Sequence, residues 1–210
     1  MKYNYYGIFI LRLKEELYIL LEKISYKWAL YLCSSLNKEP DLDILKYGIE
    51  VFLKSMIKIL SLLFVGVILH NLPLLLSISM SFILLRLASG GFHFSSYHYC
   101  YVVSISLLTL LSVLSKYLSL LKLDWTSLLI GLNLLSITLL LVFKTSINVN
   151  RPNSHKKKMY LYLSIALIII SILVSLSIKD DYLSFSIGIQ LSMFSQVITL
   201  VKFKEKEQYI

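Results

Sequence analysis

The sequence predicts an all-α polytopic membrane protein with about six transmembrane helices and an N-terminal amphipathic helix. Two properties carry that prediction. Hydrophobic residues make up 57% of the 210 and charged residues only 16%, with a mean hydropathy of +0.75, outside the range of soluble domains. Beyond residue 50 the apolar runs are nearly continuous, and they are broken at intervals that suit the roughly 20 helical residues needed to cross a bilayer. Seven Gly and three Pro exclude collagen-like and low-complexity chains. So much apolar sequence leaves no room for a large catalytic domain outside the membrane.

The opening Met1-Lys2-Tyr3-Asn4-Tyr5-Tyr6 lacks a basic segment followed by an apolar run and a small-residue cleavage site, so no removed signal peptide is expected. Leu13, Leu17, Leu20, Ile24, Trp28 and Tyr31 then recur at steps of three or four, with Lys14, Glu15, Glu22, Lys23 and Lys27 largely elsewhere on the wheel. This helix is too charged to span. Asn37-Lys38-Glu39-Pro40 stops it, so it either lies in the interface plane or packs on other helices. Asp41 or Asp43 caps the next helix, where Lys54 and Lys58 snorkel at the membrane entrance. Spans are expected at Val51–Leu69, Leu72–Ala88, Tyr101–Leu123, Trp125–Ile147, Met159–Ile178 and Tyr182–Val201. In domain terms, residues 1–40 form the interfacial helix, 41–201 the transmembrane domain with a chemical segment at 86–100, and 202–210 a short tail.

Charge decides the one ambiguous join, at Asn71-Leu72-Pro73. Lys and Arg accumulate on the cytoplasmic side of short loops. With a break there, 18 of the 21 basic residues fall on one side and only Lys116, Lys122 and Lys179 on the other. Fusing the first two spans would divide them 12 to 9. Six spans with both termini and segment 86–100 in the cytoplasm are therefore expected. The net charge of +9 reads as this orientation plus attraction to anionic lipid, not to nucleic acid.

One stretch differs from the Leu, Ile and Ser of the rest: Arg86-Leu87-Ala88-Ser89-Gly90-Gly91-Phe92-His93-Phe94-Ser95-Ser96-Tyr97-His98-Tyr99-Cys100. It holds the only Gly-Gly pair, two of four His and one of two Cys, at a membrane boundary. A thiol with pKa about 8.5 becomes a strong nucleophile once a base takes its proton, and His93 is that candidate base for Cys100. Seven residues of straight helix would part them by about 10 Å. A working pair needs the backbone to fold back after Gly90-Gly91, or a helix that begins only near Cys100. At a helix start, free backbone N–H groups would also stabilise the thiolate and an oxyanion.

Alternatives remain. Each residue taken singly fits packing or snorkelling. His98 is a rival base that a helix points away from Cys100, and Cys33 is a rival nucleophile without a nearby His. Two cysteines make no disulfide scaffold, and His93, His98 and Cys100 as metal ligands lack a fourth member and a regular metal spacing. The competing function classes are a small peptide transporter and a non-enzymatic membrane scaffold.

At these residues the chain resembles the AgrB family, the accessory gene regulator membrane endopeptidases that mature cyclic autoinducer peptides of Gram-positive bacteria. The resemblance rests on Arg86, then Ser89-Gly90-Gly91-Phe92-His93, then Cys100 seven positions after the His. It extends to Asp43-Ile44-Leu45-Lys46-Tyr47-Gly48-Ile49-Glu50 and to Asn150-Arg151-Pro152-Asn153-Ser154-His155-Lys156-Lys157-Lys158. It implies a quorum-sensing thiol protease of the cell membrane that removes the tail of an AgrD-like precursor. His93 and Cys100 would be catalytic, with no cofactor or metal. Arg86, Ser89, Gly90, Gly91, Lys156, Lys157 and Lys158 would bind or position substrate, and a homodimer is expected on the same ground. Phe94, where many members carry a small residue, and the lack of an Ala-Pro before the basic loop bear on substrate fit.

Overall fold

In a computed structural model of the chain, the described residues are 20–34, 42–91, 97–121, 123–143 and 154–200, with side chains from 158 onward in the last stretch. They form seven helices: α1 (20–34), α2 (Leu42–Ile68), α3 (Leu72–Ser89), α4 (Tyr97–Leu118), α5 (Trp125–Val142), α6 (Ser154–Ile178) and α7 (Leu183–Ile198). The expectations for Leu13 and Leu17, for the Asn37–Pro40 stop and for the 202–210 tail lie outside the described residues. Five of the helices are long and apolar enough to cross a membrane, α2 to α5 and the Lys158–Ile178 part of α6. The protein is an all-α, multi-pass membrane protein. The sixth expected span corresponds to α7, which is shorter at 16 residues.

The chain divides into two compact units, Met1–Ser61 and Leu62–Ile210. Within the first, Lys46 of α2 donates to Glu22 of α1 over 2.7 Å. The stripe that α1 buries is Leu21, Ser25 and Ala29, one residue on from the large apolar positions read from sequence. Small side chains permit close packing there, and Leu20, Trp28 and Tyr31 stay exposed, as a lipid-facing edge would be.

Within the second unit, α2 and α3 are separate helices. His70 takes a positive φ of 48°, its N–H donates to Val67 O (3.1 Å), and Asn71 N–H donates to Gly66 O (3.0 Å). This is a Schellman ending, followed by Pro73 at the start of α3, where a missing N–H costs nothing. The α7 helix is the interior one. It packs on α3, α4, α5 and α6, and half of its residues are buried. Two apolar clusters hold the unit: Leu74, Leu75, Ile78, Phe82, Leu108 and Leu111 with Leu62, and Leu85, Leu140, Ile168, Met193, Val197 and Leu200. Apolar side chains such as Leu76, Met80, Leu87, Leu134 and Leu173 face outward, a surface that hydrocarbon, not water, accommodates.

Candidate active site

The site is built where α3 stops and α4 starts. Ser89 ends α3, and the Gly90 N–H closes its last turn on Arg86 O at 2.8 Å. Gly90 (φ 79°) and Gly91 (φ 146°) both take backbone conformations that a side chain would strain. A Cβ on Gly91 would also stand 2.7 Å from Thr199 Oγ1 and 3.1 Å from Gln196 Nε2. Helix α3 thus stops at the glycines, and residues 92–96 lie outside the described residues.

Among the described residues α4 runs from Tyr97, which puts Cys100 on its first described turn. This thiol is half-buried. Arg86, in the last turn of α3, lies within electrostatic reach of Cys100, with its guanidinium carbon 5.9 Å from the Phe82 ring centroid. Tyr97, one turn before Cys100, also interacts with it electrostatically, and it packs on Tyr101 with ring centroids 6.0 Å apart. His98 stands edge-on to Tyr97 at 5.8 Å. The rival thiol, Cys33, is a half-buried residue of α1.

A second wall comes from α7. Gln196 is fully buried, and its Nε2 donates to Gly90 O at 2.6 Å and more weakly to Ser89 Oγ at 3.4 Å. Ser89 donates to Leu85 O at 2.8 Å, so its hydroxyl is engaged in holding the end of α3. The basic residues are placed differently from the loop read in sequence: Lys156, Lys157 and Lys158 continue α6 to its start at Ser154. Lys158 is exposed, and the side chains of the other two lie outside the described residues. Tyr160 and Leu161 pack against the cluster holding Leu85 and Leu200, which brings this end of α6 to the same end of the unit as the glycine turn.

The match to a sequence family decides what this arrangement belongs to. Residues 25–200 match Accessory gene regulator B, a stretch that runs from within α1 through α7 and includes every residue of the site. The chain belongs to the AgrB family. No curated protein and no solved structure matches it. AgrB membership places the chain in the processing of accessory gene regulator autoinducer peptides, with an AgrD-like precursor as substrate. Of the AgrB residues expected from sequence, Arg86, Ser89, Gly90 and Gly91 lie together at the end of α3 and Cys100 lies early in α4, whereas His93 lies outside the described residues. The sequence singles out no role at this turn for Gln196, Thr199 or Tyr97. A carboxamide on a short apolar helix was the available signal, but nothing in the sequence says which turn it would meet.

Proposed function

We propose that the chain is a membrane cysteine endopeptidase that cuts the C-terminal tail from an AgrD-like precursor and leaves a thioester that the precursor itself resolves. The observation that carries this reading is Cys100 on the first described turn of α4, within electrostatic reach of Arg86, after α3 ends at Gly90-Gly91. His93, two residues past Gly91, takes the thiol proton. The Cys100 Sγ attacks the carbonyl carbon at the cut, the α4 N–H groups and Arg86 offset charge on the oxygen, and His93 hands its proton to the departing amine. An acyl thioester remains. A Cys or Ser side chain of the precursor then loses its proton to His93 and attacks the thioester. That closes a thiolactone or lactone ring and frees the Cys100 thiolate, which His93 reprotonates.

A tethered nucleophile has the effective-molarity advantage over water, and a poorly hydrated boundary favours it further. Arg86 and Lys156–Lys158 attract an acidic tail and anionic lipid at the cytoplasmic face. The three Lys lie in the first described turns of α6, where the helix dipole disfavours cations, and this supports a bound anion beside them in addition to their part in orientation. The interfacial helix of 1–40, the transmembrane body of 41–201 and a homodimer complete the arrangement.

The test is co-expression with an AgrD-like precursor, followed by mass spectrometry of the peptide. The intact chain shortens the precursor and releases the tail, and Cys100→Ala and His93→Ala each lower cleavage by at least about 10²-fold, the contribution typical of a positioned base or nucleophile. Undiminished cleavage by both variants would overturn the assignment.

A further inference from the structure

Two glutamines of α7 share the interior of the bundle and are treated differently by it. Gln190 is complete: Oε1 accepts from Asn133 Nδ2 at 3.1 Å, and Nε2 donates to Ser171 Oγ (3.2 Å) and Ser175 Oγ (3.1 Å). Gln196 is not. Its Nε2 is engaged with Gly90 O and Ser89 Oγ, while its Oε1 is buried without a hydrogen-bond partner among the described residues. The amide cannot be turned over to cure this, because Oε1 would then face the Gly90 carbonyl oxygen at 2.6 Å. An unsatisfied buried acceptor destabilises a fold, and an apolar side chain of the same length would avoid it. What the carboxamide supplies is therefore its donor, delivered to a glycine carbonyl at φ 79°. Thr199, one turn on, closes the space over Gly91.

We propose that Gln196 is a positioning residue for the peptidase reaction: from α7 it fixes the Gly90-Gly91 turn, which precedes His93 by two residues in the sequence and on which the His93–Cys100 pairing of the proposed mechanism depends. The inference rests on the cysteine-peptidase reading above. It assigns Gln196 no contact with substrate. Losing its donor lets the turn relax, so the imidazole and thiol pair less often while precursor binding is unchanged. Because the cost of the unpaired Oε1 disappears as well, an apolar replacement does not weaken the fold.

Gln196→Met, Gln196→Glu and His93→Ala in the full chain, each with Cys33→Ser so that Cys100 is the one thiol, test this in detergent micelles. The readouts are precursor cleavage, thermal unfolding and the pH profile of Cys100 alkylation by iodoacetamide. Gln196→Met is expected to keep the unfolding midpoint and KM of the parent and to lose at least tenfold in kcat. Its alkylation midpoint should move up towards that of His93→Ala. A Glu can donate to the Gly90 carbonyl only while protonated, so the activity of Gln196→Glu relative to the parent should rise as pH falls. Three results would overturn the proposal: Gln196→Met with parental kcat, a loss confined to KM, or lost kcat with the alkylation profile unmoved. If the parent and His93→Ala already share one alkylation profile, the His–Cys pairing itself has failed, a result distinct from a failure of the Gln196 role alone.

Discussion

The residue whose chemistry is most completely accounted for is Gln190, since all of its polar groups are paired with the buried Asn133, Ser171 and Ser175. Hydrogen bonds between membrane helices are worth on average about 0.6 kcal/mol and at most about 1.7 kcal/mol. Gln190→Leu should therefore lower the unfolding midpoint in detergent by a few degrees, at roughly 2–4 °C per kcal/mol for a chain of this size. Asp124 offers a second residue-scale prediction. It caps α5, accepting from Thr126 N–H at 3.2 Å and Ser127 Oγ at 2.6 Å, and the Ser127 hydrogen bond above all holds its carboxyl below the usual carboxylate range. A carboxylate with a lowered folded-state pKa stabilises above its unfolded value, near 3.9, and that stabilisation fades as pH falls through the lowered value. Asp124→Ala should thus unfold at lower temperature than the parent at neutral pH, with the gap closing in acid, as melting curves across pH would record.

At the scale of elements, close approach of α7 to α3 depends on Gly188, where a Cβ would lie 2.8 and 2.9 Å from Ile78 Cδ1 and Cγ1 and 3.2 Å from Leu74 Cδ1. Ala is the better helix former by up to about 1 kcal/mol. Ile78 is fully buried, however, and has nowhere to turn, so overpacking at about 1–3 kcal/mol prevails. Gly188→Ala should destabilise, and Ile78→Ala in the same chain should cost less than it does alone, a coupling that a double-mutant cycle measures. The elements also show what a sequence can reveal. The break at Asn71-Leu72-Pro73 was legible because Pro and charge distribution act locally, and so was the glycine turn. The start of α6 was not: Ser154-His155-Lys156-Lys157-Lys158 reads as a basic loop because cations are poor at a helix start, yet α6 extends through it. That Arg86 and Cys100 belong to one segment was legible, since both lie within residues 86–100. The part of Gln196 was not, since residue 196 meets residue 90 only through the packing of α7 on α3.

For the whole molecule, orientation follows from where the two ends of the Leu62–Ile210 unit keep their charges. One end gathers Arg86, the glycine turn, the start of α4 and the basic start of α6. The other holds Lys116, exposed in the last turn of α4, and Lys179, which donates to Thr126 Oγ1 at 2.7 Å and lies 3.9 Å from Asp180. Acids accompany the lysines there, in Asp124, Asp180 and Asp181. Since basic residues retain a loop in the cytoplasm while acids count for little, the Cys100 end should face the cell interior. A membrane-impermeant maleimide makes this measurable. With Cys33→Ser, Cys100 should label in inverted vesicles and not in intact cells, while Asp181→Cys in a chain lacking both native thiols should do the reverse. Labelling of Cys100 from outside intact cells would reverse the orientation. A precursor held on the inner leaflet could then no longer reach the thiol, however well the helix break positions it.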